Sequence, residues 1–164
     1  MRQGQLEQAI EVLLDNDERN AQALKALGFA STSAIDLALN YALLGDLAAA
    51  DKWTSEAQDR ADELTAPSFE AMKVFTAAVL ACRRGQPEEA VRSLDDHWTQ
   101  CEGTLMGETL RPLRVIRAFA IASTGPRNAG MADASLALSR PAYPGEYDFL
   151  GKAWPEMQTF LASL

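Results

Sequence analysis

The chain is poor in the groups from which most active sites are built. Its 164 residues include one histidine and two cysteines. His97 stands beside Asp95 and Asp96, but consecutive helical residues point in different directions, and no Ser, Cys or Lys is placed as its partner. Catalysis needs several such groups to converge, so no catalytic residue is assigned and the chain is expected not to be an enzyme. Cys82 and Cys101 fall on different predicted helices without metal-type spacing, which points to free thiols in a reducing cytoplasm and to no metal site. Glycine-rich phosphate-binding loops are missing, and no cofactor is expected. Basic charge is scarce, with 15 Lys and Arg against 23 Asp and Glu for a formal net charge of −8. Nucleic acid and anionic membrane both require a basic patch, so neither is an expected partner. The apolar runs are too short and interrupted to span a bilayer. No charged start followed by an apolar core and a cleavage site is seen, so no secretory signal is expected. Alternating patterns and β-branched runs are few, which argues against a sheet.

What is present is helix-forming and periodic. Hydrophobic residues make up 48% of the chain, and many are Ala and Leu, the best helix formers. Gly4, Gly45, Gly85 and Gly125 recur at intervals of 41, 40 and 40 residues (45 − 4, 85 − 45, 125 − 85). A helix that reverses into an antiparallel neighbour needs a residue that accepts positive φ after its last turn, and glycine does so without steric cost. After each glycine a new helix opens. Asp46, Glu88 and Glu89 suit the positive end of its dipole, and Pro87 and Pro126 suit its first turn. Five residues after each glycine stands a small residue, namely Ala9, Ala50, Ala90 and Gly130, which lets the second helix lie close to the first. A fixed period of this length, with each unit a helix–turn–helix, is the pattern of a solenoid.

These units resemble tetratricopeptide repeats in a longer, roughly 40-residue form. The residues that carry the likeness are Leu37, Ala38, Tyr41, Gly45, Ala50 and Ala57 in the first full unit. The second matches through Ala78, Gly85 and Ala90, with Ala81 in place of the aromatic and His97 in place of the later alanine. The third keeps Ala118 and Gly125, with Ile121 for the aromatic and Arg114 and Arg117 where bulky apolar residues are usual. The resemblance implies an all-α fold: a right-handed helix–turn–helix solenoid, or tetratricopeptide-like superhelix, with a C-terminal capping helix. It divides one domain, 1–164, into a half repeat at 1–28, repeats at about 29–67, 68–104 and 105–140, and a final helix at 146–163.

Several local expectations follow. Residues 5–15 form an amphipathic helix with Leu6, Ala9, Ile10, Leu13 and Leu14, and its apolar face lacks part of its partner, which upstream sequence or a second copy of the chain would supply. Asp15 to Asn20 reads as a loop or a polar helical turn. Gly28 stops a helix and Ser31-Thr32-Ser33 caps the next, from about 33 to 44. The later helices are expected at 47–64, 69–84, 87–101, 107–123 and 127–139, with Ser68 as a cap, a break at Glu102-Gly103-Thr104, and Pro112 in or near a first turn. Pro155 inside the last helix predicts a kink or a restart. That helix caps the solenoid with Trp154 and Leu161 or docks on another molecule.

In tetratricopeptide proteins the first helices of successive units line a concave groove that binds peptides or helices. Carried over position by position, the resemblance implies a groove of Ile35, Leu39 and Leu43, then Phe75, Val79 and Cys82 with Arg83 beside them, then Val115, Phe119 and Ala122. Such a lining is apolar. It lacks the Lys, Arg and Asn that grip C-terminal carboxylates in other members. Three occupancies fit it: plain inter-helix core, a partner's amphipathic helix, or a helix of the chain itself. Arg111, Arg114 and Arg117 form a basic stripe that pairs with acids such as Glu102 or Glu108 or with second-helix acids of a neighbouring unit, or receives an acidic partner segment. The expected function is a non-enzymatic scaffold for a peptide or amphipathic helix. The alternative is a regulatory module of a larger protein that forms a homodimer through the N-terminal half repeat.

Overall fold

The computed structural model describes residues 4–61, 68–105, 107–125, 130–138 and 147–164. Among them regular structure is entirely helical. The helices are α1 (Gly4–Ala26), α2 (Ala30–Leu44), α3 (Leu47–Asp59), α4 (Ser68–Arg83), α5 (Pro87–Thr104), α6 (Gly107–Thr124), α7 (Met131–Leu138), α8 (Asp148–Gly151) and α9 (Pro155–Leu161). They pack as neighbours along the chain. α2 pairs with α3, α4 with α5 and α6 with α7, while α1 lies on α2, α2 on α4 and α4 on α6.

The first two hairpins are built as their glycines require. Gly45 sits at φ 96°, and its N–H reaches the carbonyls of Tyr41 and Ala42 at the end of α2. Asp46 then caps α3, its carboxylate accepting from the Ala49 N–H at 3.0 Å. Gly85 repeats the left-handed turn at φ 71° before Pro87 opens α5. Gly28, at φ 73°, ends α1 in the same way. Gly4 and Gly125 do not belong to this set. Gly4 is the first helical residue of α1, and Gly125 does not take positive φ. Small residues do sit where the second helices approach the first. Ala50 and Ala90 are fully buried. A Cβ added to Gly130 would fall 2.3 Å from the Ala118 carbonyl oxygen of α6.

The structure corrects several boundaries. Of the two readings of Asp15–Asn20, the structure has the polar helical one and not the loop: α1 runs through it with a kink at Asn20 (φ −115°, ψ 16°). An Asp15–Arg19 ion pair at 2.6 Å and an Asn20–Asn16 hydrogen bond at 2.7 Å support the helix locally. Asp17 is anchored to Arg60 at 2.6 Å, 43 residues away. α2 starts at Ala30 with Phe29 in the cap position and no side-chain cap bond, three residues ahead of the expected start. Ser68 is the first residue of α4 and not its cap. Glu102-Gly103-Thr104 does not break α5, because fully buried Cys101 and the Glu102–Arg114 pair hold its last turn. The chain leaves that helix at Leu105, which is extended (φ −82°, ψ 136°).

Pro112 lies beyond the first turn of α6. The helix continues through it, since burial of Leu113, Val115, Ile116 and Ala118 outweighs one missing backbone bond. The expected end of the second helix at 64, the 126–129 turn and the 139–146 loop lie outside the described residues. The final helix is in fact two, α8 and α9, and Pro155 is the first residue of the second.

α1 is less exposed than its missing neighbour suggested. Leu6 and Ile10 are buried, Leu6 within the main core beside Leu39 and Leu43. What remains outside is scattered: Val12 and Leu14 on α1, then Leu27 and Phe29, 66% and 48% exposed on either side of Gly28.

Candidate functional site

The face made by α2, α4 and α6 carries a polar junction centred on Arg83. A helix leaves its last carbonyls unpaired, and those of α2 end beside the last turn of α4. The Arg83 guanidinium donates Nε to the Ala42 carbonyl at 3.1 Å and Nη2 to the carbonyl of Leu43. Nη2 also donates to the Ala153 carbonyl at 2.8 Å, in the turn between α8 and α9. The guanidinium carbon lies 4.7 Å from the Trp154 ring centroid, within cation–π range. A Cβ on Gly45 would stand 3.2 Å from Nη2, so the same glycine that turns the chain also makes room for Arg83. Burial lowers the pKa of Arg83, and the charge of Glu156 acts in the opposite direction. Guanidinium remains protonated in either case.

Beyond Arg83 the contacts turn apolar. Phe119 of α6 meets Trp154 edge-on at 5.1 Å and Phe160 at 5.6 Å. Such pairs are each worth about 0.5–1.5 kcal/mol beyond their buried area. Tyr147, Leu150, Trp154, Met157 and Phe160 join one continuous core with Leu39, Leu43, Phe75, Val79, Val115 and Phe119. The segment 147–164 therefore lies on the face that sequence assigned to a groove.

The expected groove residues do not share one fate. Leu39, Leu43, Phe75, Val79, Val115 and Phe119 are buried together, with Cys82 in the same core and Ala122 half-buried against it. Ile35 is not with them. It packs with Ala34, Ala38, Ala57 and Phe69 in a separate cluster between α2, α3 and α4. No open apolar lining remains at these positions, because inter-helix packing and residues 147–164 cover it.

Sequence reasoning missed the polar groups of this helix layer. Ser33, Asp36 and Asn40 follow one another along α2 at spacings of three and four, with Thr32 next to Ser33. Burial alone pushes the Asp36 carboxyl up to about 6 from its ordinary 3.8. The hydroxyls of Thr32, Ser33 and Thr76 are buried without a hydrogen-bond partner among the described residues. An acid set between Ile35 and Leu37 was the sign of this in the sequence.

The basic stripe is occupied by α5. Arg114 donates to Glu102 at 2.7 Å, and Arg117 donates to Asp95 at 2.6 Å. Both guanidinium groups also lie over Trp98, at 5.9 and 5.0 Å. Asp95, Trp98 and Glu102 share one side of α5 by their spacing, so this set joins α5 to α6. Arg111 lies along its own helix, its Nη1 next to where a Gly107 Cβ would be.

Nothing resembling a reaction centre accompanies these contacts among the described residues. His97 is exposed, with Nδ1 2.9 Å from the Ser93 carbonyl. Cys82 and Cys101 are free and buried. Burial pushes the Cys82 thiol up to about 12 and raises Cys101 as well, so both are unreactive as thiolates. No group of His, Cys, Asp and Glu is arranged to hold a metal among the described residues, and no described helix is long and apolar enough to cross a membrane. A cleft of about 380 Å³ opens between the ends of α1 and α3, bordered by Leu24, Lys25, Asp59 and Arg60. On its polar wall Arg60 is paired with Asp17. Burial would lower the Arg60 pKa, but hydrogen bonds to Asp17 and Glu56 outweigh it and hold the group above its ordinary value. No family model matches the chain, and comparison with curated proteins and with solved structures finds no match.

Proposed function

We propose that the chain is a non-enzymatic, tetratricopeptide-like solenoid that binds a partner's peptide or short amphipathic helix on the face formed by α2, α4 and α6. The observation that carries this reading is that a short helical segment already seats there, with Arg83 gripping its backbone and Phe119 gripping its aromatics. The two hairpins turned at Gly45 and Gly85 and the successive α2–α4–α6 packing support the solenoid. Two free buried thiols support a reducing, cytoplasmic setting. The mechanism is preorganisation: helices fixed by their own cores bear little of the ordering cost, and the ligand folds onto them.

A display selection of helical peptides against the intact protein tests this, with Phe119→Glu as control. Enriched peptides that lose binding to the control support the face. Enrichment indifferent to Phe119 contradicts it.

A second reading, self-association through the N-terminal end, draws on exposed Leu27 and Phe29. Light scattering over a wide concentration range decides it. A dimer abolished by Phe29→Glu supports it, and a monomer throughout removes it.

A further inference from the structure

We infer that residues 147–164 are a built-in stand-in for the partner, and that the partner binds by exchanging with them through a segment of the same chemistry. This rests on the function proposed above and specifies the ligand class. The segment has the make-up of a docked ligand. α8 and α9 have 4 and 7 residues, far below the length at which an isolated helix holds itself in water. Their order comes from the face they lie on. Its buried side chains are Tyr147 and Leu150 around α8, and Trp154, Met157 and Phe160, spaced by three, along α9. This is how a short helix anchors in a groove.

Recognition of the backbone is separate from recognition of side chains. Arg83 reads the Ala153 carbonyl, which any sequence can offer, and the ring of Trp154, which few can. Glu156 adds favourable charge toward Arg83. The fitting partner is therefore a segment with a tryptophan just before a short helix, followed by bulky apolar residues three and six positions on. A tethered competitor acts at an effective concentration on the order of millimolar. An incoming segment must bind well enough to displace it, and its apparent affinity falls by the fraction of molecules whose face is open.

The test uses full-length protein and a labelled synthetic peptide of residues 147–164, read by fluorescence anisotropy. Thr159→Pro breaks α9 at an exposed position and leaves α2, α4 and α6 unaltered. The variant is expected to bind the peptide at least about tenfold more tightly than wild type does. Adding Phe119→Ala should abolish that binding. Equal binding to both proteins, or none to a variant whose helicity is kept, overturns the inference. Phe160→Ala serves as a milder variant. If neither folds, the segment is part of the core and the inference falls. Failure here with display-selected peptides still bound at Phe119 leaves the proposed function standing, whereas loss of both removes it.

Discussion

At the scale of single residues the account rests on groups whose surroundings set one property each. Asp36 is the most exposed to test. Its folded pKa of about 6 lies above the ordinary 3.8, so folding favours the neutral acid. The associated stability is fully present below 3.8 and is lost as pH rises through 6. Asp36→Asn should therefore stabilise the protein at pH 7.5 by about 1–3 kcal/mol and leave it nearly unchanged at about pH 3, below both pKa values. Urea unfolding at both pH values measures this, and an equal effect at both would refute the assignment. The glycines separate in the same way. Gly130→Ala drives a Cβ to within 2.3 Å of the Ala118 oxygen and should cost about 1–3 kcal/mol. Gly45→Ala meets positive φ and the Arg83 head group and should cost about 1–2 kcal/mol. Gly125→Ala has open space and no left-handed backbone, so it should fall within about 0.5 kcal/mol of wild type. Thermal unfolding of the three variants ranks them, and a large loss at Gly125 would show that its place in the repeat was misjudged.

At the scale of elements, helices were legible wherever local chemistry decided them. Asp46 and Pro87 open helices, and Gly45 and Gly85 close them, all within a few residues of the sequence that specifies them. Misplaced boundaries lie where distant contacts decide. Asp15 to Asn20, whose composition left a loop and a polar helical turn open, is helix with Asp17 tied to Arg60, and Glu102 to Thr104 looks like a break but is held by Arg114. Neither tie leaves a mark in the local sequence. The segment 147–164 was legible as apolar and helical, yet nothing in its spacing says which face it covers. The arginine stripe was visible as a stripe, and its acids on α5 were within reach of the same reasoning. Since Asp95 is half-exposed, its pair with Arg117 is a register device with modest energy. A double-mutant cycle on Asp95→Ala and Arg117→Ala should give a coupling of about 0.3–1 kcal/mol by denaturant unfolding. A coupling above about 2 kcal/mol would mean that the pair is a structural anchor.

At the scale of the whole molecule the described residues are packed helices whose α2–α4–α6 face is covered by residues 147–164. The covering contacts are few and centred on Arg83 and Phe119, whereas each long helix is held by its hairpin partner and by its neighbour in the row. Local openings of a protein follow such differences in packing. The central claim is that the cover and the row are separate cooperative units. Native-state hydrogen exchange on the wild-type protein tests it most directly, by comparing amides of 155–161 with those of the buried middle of α4. The account predicts that α9 exchanges through an opening smaller than global unfolding while α4 and α6 stay protected. Exchange of α9 only through global unfolding, at the same free energy as α4, would contradict it.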